Sequence, residues 1–276
     1  DFSQADRVAD FARSIGVVMH GHCLVWHEAL PEWVAGTVTP RNAAALLEAH
    51  IATVVRRYAG RVVSWDVVNE AVERNDRRSD GLRRSVWLEA LGPGYLDLAF
   101  HAARQADPRS RLCFADYGLE YDDIPWMVEK RGTTLEILRG LKARGVPVDV
   151  LALQGHLRGD HPPAFGQGLA DFLSEAADLG LEIYVTELDV DDQKTPGSPV
   201  ERDRRTAAAY ARFLETVLRH PAVRMVTTWG LSDRYTSKSF LFPRADGAEV
   251  RPLPFDRELR PKPAAFALSQ AFSRRA

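Results

Sequence analysis

Residues 64–73 read SWDVVNEAVE. The stretch starts as a buried strand, a near-continuous apolar run carrying β-branched valines. It stops on an amide and a carboxylate, Asn69 and Glu70. A buried parallel strand that delivers polar groups at its C-terminal end is how α/β enzymes build a site. The question is whether the rest of the chain repeats the pattern.

It does. Candidate strands lie at Val17–His22, Val62–Val67, Arg111–Ala115, Val148–Leu153, Leu181–Thr186 and Val223–Trp229. Segments of helical period separate them, at Arg41–Ala59, Tyr95–Ala106, Pro125–Arg144, Pro163–Leu179 and Pro199–Arg219, with a last one at Lys262–Phe272. Glycines 60, 145 and 180 stand where three of these helices should stop. Strand alternating with helix implies parallel strands. No G-x-G-x-x-G follows a strand, so the strongest sign of a dinucleotide-binding sheet is missing. Instead, polar and aromatic residues follow nearly every strand: His22 and Trp26, Asn69 and Glu70, Asp116 and Tyr117, Gln154 and His156, Glu187 and Asp189, Trp229 and Asp233. A doubly wound sheet gathers its chemistry at one switch point, whereas a barrel spreads it around one rim. The predicted fold is therefore α/β, of the (β/α)8 TIM-barrel type. Six strands are read where eight are needed, and none precedes the opening helix at Gln4–Ser14. The chain is expected to be one catalytic domain over residues 1–276, incomplete at its N-terminus.

Bulk properties narrow the function classes. The 276 residues are 45% hydrophobic and 27% charged, an ordinary globular mix, with a formal net charge of -2. No basic field suggests nucleic acid. No apolar run reaches the roughly 18 residues that would cross a bilayer, and the first residues do not read as a signal peptide. Cys23 and Cys113 both lie in apolar runs and read as buried thiols. The acidic stretch Glu120–Asp123 reads as a solvated turn.

Glu70 and Glu187 each close a buried strand and carry their own polar neighbours. Glycoside hydrolysis needs such a pair: one carboxyl protonates the leaving oxygen while the other attacks the sugar or activates water. A different reading is a metal-dependent hydrolase, since His20 and His22 form H-x-H on one strand face, with His156 and Asp233 at other strand ends. It leaves both Glu motifs unexplained.

GHCLVWH, WDVVNEA, LQGHL, VTELDV and TWGLSD, in that order, resemble the signature segments of glycoside hydrolase family 10, the retaining endo-β-1,4-xylanases. The resemblance runs from about Phe2 to Phe272. It implies hydrolysis of internal β-1,4-xylosidic bonds in xylan by double displacement, with no cofactor and no metal. Glu187 is then the nucleophile and Glu70 the general acid/base. Asn69 would bond the sugar 2-hydroxyl, and His156, with Asp189 behind it, would orient Glu187. Gln154 would tune the Glu70 proton. His22, Trp26, His27, Tyr117 and Trp229 would contact sugar, Trp229 and Tyr117 as aromatic walls. A polymeric substrate implies a secreted or periplasmic enzyme.

The chain also departs from the family pattern. Two N-terminal strands are not seen, and with them a Glu-Asn pair and a Lys that grip the distal sugar. Ala115, Asp116, Tyr117 and Gly118 stand where the family reads Asn-Asp-Tyr-Asn. Ser237 stands where a second Trp is expected, with Phe240 nearby. A barrel that binds xylan without turning it over is the alternative these departures raise. With the sugar grip thinned, less remote binding energy reaches the reacting centre. Turnover of xylotriose is expected to be weaker than in a relative that keeps those strands, as steady-state kinetics would show. Open sheet edges invite association, so size-exclusion chromatography should show self-association rather than a stable monomer.

Overall fold

The computed structural model describes residues 1–274. In chain order the elements are α1 (Ser3–Ser14), β1 (Met19–Gly21), α2 (Glu32–Thr37), α3 (Ala43–Arg57), β2 (Val62–Asn69), α4 (Val86–Leu91), α5 (Tyr95–Ala106), β3 (Arg111–Asp116), α6 (Pro125–Ala143), β4 (Val150–Leu153), β5 (His156–Arg158), α7 (Gln167–Asp178), β6 (Glu182–Asp191), α8 (Pro199–Val217), β7 (Val223–Thr228), α9 (Lys238–Leu241) and α10 (Pro263–Ser273). Parallel strands alternate with helices, an α/β architecture of the (β/α)8-barrel type. The chain divides into two compact units, residues 1–116 with 133–152, and residues 117–132 with those from 153 on.

In the first unit, β2 lies between β1 and β3, parallel to both, pairing Gly21 with Trp65 and Trp65 with Leu112. Val67 and Val68 are at most 1% exposed, because both faces of the strand are covered. Helix α3 shows why the sequence period held: Ala43, Leu47, Ile51 and Val55 recur every four residues and all are fully buried. Leu47, Ile51 and Val55 each contribute about 1.5–3 kcal/mol by leaving water. Strand β1 is shorter than expected. Val17 and Val18 are 52% and 72% exposed, and among the described residues β1 pairs with β2 alone, so it has a ladder on one side only.

In the second unit, β6 pairs in parallel with β5 and β7. Helix α8 starts on a full capping box: Ser198 Oγ accepts the Glu201 N–H, and the Glu201 carboxylate accepts the Ser198 N–H, with Pro199 in the first turn. Its inner face, Ala209, Tyr210, Phe213, Leu214 and Val217, is at most 2% exposed.

The strand missing from the sequence reading is β5, and it has a physical cause. The fourth strand breaks after Leu153 and resumes at His156. Gly155 makes the break, with φ at +82°. A Cβ there would sit 2.9 Å from Val185 Cγ1, so only glycine fits. Two backbone bonds hold the kink to β6: Glu187 N–H to the Gln154 carbonyl at 2.8 Å and Asp189 N–H to the Gly155 carbonyl at 3.3 Å. Gly155→Ala is expected to lower unfolding free energy by about 1–3 kcal/mol, measured by urea titration.

Candidate active site

Glu70 stands at the C-terminal end of β2 in the left-handed region, φ +56°. Such a backbone is unusual outside glycine and persists only where the surroundings fix it. Here the Glu70 N–H donates to the Ala115 carbonyl at 2.8 Å, and its own carbonyl accepts from Arg83 Nε at 2.7 Å. The side chain is 15% exposed, and His27 Nδ1 lies 3.9 Å from Oε2. Burial, with help from the Arg83 charge and against the pull of Glu70, holds the His27 imidazole below its usual range. Trp26, His27, Asn69, Glu70, Arg83 and Trp87 line one narrow cavity of this unit. Trp87 and Trp65 are buried packing residues, 7% and 5% exposed.

Asp66 lies fully buried on β2, the strand that ends at Asn69. Its Oδ2 takes hydrogen bonds from His20 Nε2 at 3.0 Å and His22 Nδ1 at 2.9 Å. Burial would raise this carboxyl, but the two histidines outweigh it and hold it below its usual range. For His22, burial again opposes the charge, yet the bonds to Asp66 and Cys23 lift the imidazole to about 11. Cys113 is fully buried while Cys23 is only partly so. The H-x-H pair thus serves one carboxylate, and both nitrogens of His20 are engaged, by Ser64 Oγ and Asp66. Of the other two residues of the metal reading, His156 bonds Glu187 and Asp189, and Asp233 accepts from Lys262 Nζ at 2.7 Å and from the Leu253 N–H. Sequence reasoning assigned nothing to Asp66. A lone acid inside the apolar run SWDVV was the available signal.

The second unit holds Glu187, 4% exposed, inside β6. Its Oε2 bonds His156 Nε2 at 3.1 Å, and His156 Nδ1 bonds Asp189 Oδ1 at 2.8 Å. One imidazole can donate to two carboxylates only when protonated. Burial disfavours that charge, but Asp189 and Glu187 outweigh it and raise His156 to about 10. The expected order of Glu187, His156 and Asp189 is therefore present. Trp229 meets the His156 ring edge-on, centroids 6.3 Å apart, and keeps 36% of its surface exposed. Tyr117 is half-buried, with Lys130 Nζ 3.6 Å from its ring centre. Gln154 is buried, and its carbonyl anchors Glu187. Ser237 is half-buried, and Phe240 is 72% exposed.

The stretch Glu120–Asp123 is not a solvated turn. Glu120 is fully buried: Oε1 accepts the Gly155 N–H at 3.0 Å and Oε2 the Leu119 N–H at 2.8 Å. Burial pushes its carboxyl above the usual range. Arg131, also buried, bonds the Leu119 and Glu120 carbonyls and the Asp122 carboxylate. Charge alone suggested solvent, but a buried arginine from α6 reverses that reading. Asp123 alone of the four meets the expectation, 47% exposed at its side chain and paired with His161.

Each unit therefore carries a glutamate on or at the end of a buried parallel strand, Glu70 beside a histidine held below its usual range and Glu187 bonded to an imidazolium. Glycoside hydrolysis calls for two carboxyl groups in different roles. Residues 1–271 match the family described as glycosyl hydrolase family 10, and the chain belongs to it. It is 34% identical over 275 residues to endo-1,4-beta-xylanase B of Thermotoga neapolitana, covering 98% of this chain and 74% of that one. It is 37% identical to a beta-1,4-xylanase of Dictyoglomus thermophilum, covering 96% and 74%. Among solved structures, native xylanase 10B from Thermotoga maritima superposes with a TM-score of 0.87 at 34% identity, covering 99% of this chain and 80% of that one. Xylanase 10B from Thermotoga petrophila RKU-1, in complex with xylobiose, gives 0.86 at 33%, covering 99% and 79%.

The raised histidines set an alkaline limit. Their folded values, about 11 and about 10, exceed the ~6.5 of a free histidine. Their stabilisation is complete below about pH 6.5 and declines as pH rises through the folded values. Tm is expected to fall between about pH 7 and pH 10, and His156→Asn should flatten that slope in calorimetry.

Proposed function

We propose that the chain hydrolyses internal β-1,4-xylosidic bonds in xylan with retention of anomeric configuration. The observation that carries this reading is the charge-assisted bond between Glu187 and the His156 imidazolium. It suits an oxygen that must attack as an anion. Glu187 attacks the anomeric carbon while Glu70 protonates the departing oxygen. The resulting glycosyl-enzyme is opened by water, with Glu70 now taking the proton.

Asn69, at the strand end beside Glu70, grips the 2-hydroxyl of the sugar being cleaved. Its contact strengthens as charge develops at the ring. His22, Trp26 and His27 from the chain after β1 contact sugar, as do Tyr117 and Gln154. Trp229 presents its exposed face to the flat apolar side of a pyranose. A polymer too large to enter cells places the enzyme outside the cytoplasm, secreted or periplasmic.

Reducing-sugar release from xylan tests the reading. Glu187→Ala should abolish it. Glu70→Ala should lower it by about 10²–10⁴-fold, the usual worth of a general acid/base. Proton NMR of the first product should show the β-anomer. Binding without hydrolysis by the unaltered chain would overturn the proposal.

A further inference from the structure

Residues 233–242 read DRYTSKSFLF. Most of this segment faces solvent, with Tyr235 76% and Phe240 72% exposed. Asp233, Thr236 and Lys238 are buried, at 2%, 4% and 7%, and of these Lys238 carries the ammonium. It starts the short helix α9, yet its four-carbon stem runs inward. An ammonium leaves water at a large cost unless a partner compensates. The partner is Asp189, fully buried, whose Oδ2 lies 3.1 Å from Lys238 Nζ. The ring of Phe242 flanks the ammonium, 5.3 Å from Nζ to its centre. Two hydrogen bonds fix the segment around it: Lys238 N–H to the Thr236 side-chain Oγ1 at 3.3 Å, and Phe242 N–H to the Lys238 carbonyl at 3.0 Å.

Asp189 is thereby shared. Its Oδ2 faces Lys238 and its Oδ1 accepts from His156 Nδ1. The other ring nitrogen holds Glu187 Oε2. Four charges alternate along one line, ammonium, carboxylate, imidazolium, carboxylate. Each inner group is held on both sides by groups of opposite sign. Resting on the glycosidase reading above, we propose that Lys238 is a positioning residue for the reaction. It pins Asp189 so that the carboxylate keeps its orientation toward His156, and His156 keeps its proton directed at Glu187. Without the ammonium, Asp189 is free to turn about its Cβ–Cγ bond, and it draws the imidazole proton more strongly to itself. The bond to Glu187 then weakens at the moment of attack. Lys238 touches no substrate in this role and acts only through Asp189 and His156.

The test compares Lys238→Gln, which keeps a hydrogen-bond donor without charge, Lys238→Met, which keeps length alone, and Lys238→Arg, which keeps the charge. Circular dichroism confirms folding first. On an aryl xylobioside, Lys238→Gln is expected to lower kcat by about tenfold or more, the scale on which partners behind an active group act, with KM little changed. Lys238→Arg should restore most of the rate. If Lys238→Met does not fold, Lys238→Gln decides. Wild-type kcat in folded Lys238→Gln, or equal loss in the Arg and Gln variants, would overturn the proposal. A second readout needs no turnover: in ¹⁵N-labelled protein the His156 ring N–H signals should be downfield and slow to exchange. They should shift or vanish in Lys238→Gln and persist in Lys238→Arg; unchanged signals in the Gln variant would also overturn the proposal. If the unaltered chain does not release reducing sugar, the function reading falls, while these signals still judge Lys238.

Discussion

One imidazolium holds the second unit's chemistry together. His156 stands between Glu187 and Asp189 and donates to both. The part-buried cation is offset by the two carboxylates that face it, and the two buried carboxylates are offset in turn by the cation between them. Much nearby structure serves this arrangement. The kink at Gly155 lets the strand restart so that His156 pairs with Asp189 in register. Glu120 secures the kink from beneath through the Gly155 N–H. Lys238 closes the far end of the line of charges.

The first unit solves its own version of the problem. Asp66 lies in the middle of an otherwise apolar strand, where an unpaired carboxylate would be very costly. His20 and His22 make it tolerable and are raised or fixed by it in turn. Nearer the strand end, the backbone of Glu70 is fixed by Ala115 and Arg83. Its carboxylate lies 3.9 Å from His27 Nδ1. The two glutamates are built differently because their tasks differ. One must hold an anion in place, and the other must give and take a proton.

Much of this was readable along the chain. Helices announced themselves by four-residue spacing, as in Ala43, Leu47, Ile51 and Val55, and by the glycines that end them. Strand ends announced themselves by polar residues closing apolar runs. That pattern pointed to Asn69, Glu70, Glu187, His156 and Asp189, although β6 runs on through Glu187 and Asp189 and His156 opens β5, and the ordered motifs added their family. What was misread followed from charge. Glu120 and Asp122 look like surface residues in one dimension, because nothing nearby in sequence reveals that Arg131 lies buried against them. Asp66 was passed over for the same reason, its partners being more than forty residues away.

Sequence alone determined the alternation of strand and helix, the positions of the two glutamates and the family. Those depend on local propensity, period and spacing, which are properties of neighbours along the chain. Tertiary structure decided which charges are buried, which histidines carry a proton and which strand is broken. Desolvation and pairing set those, and both depend on groups brought together from distant segments. Lys238 shows the difference most plainly. In sequence it is one polar residue among several in DRYTSKSF, and only the fold turns its ammonium inward onto Asp189.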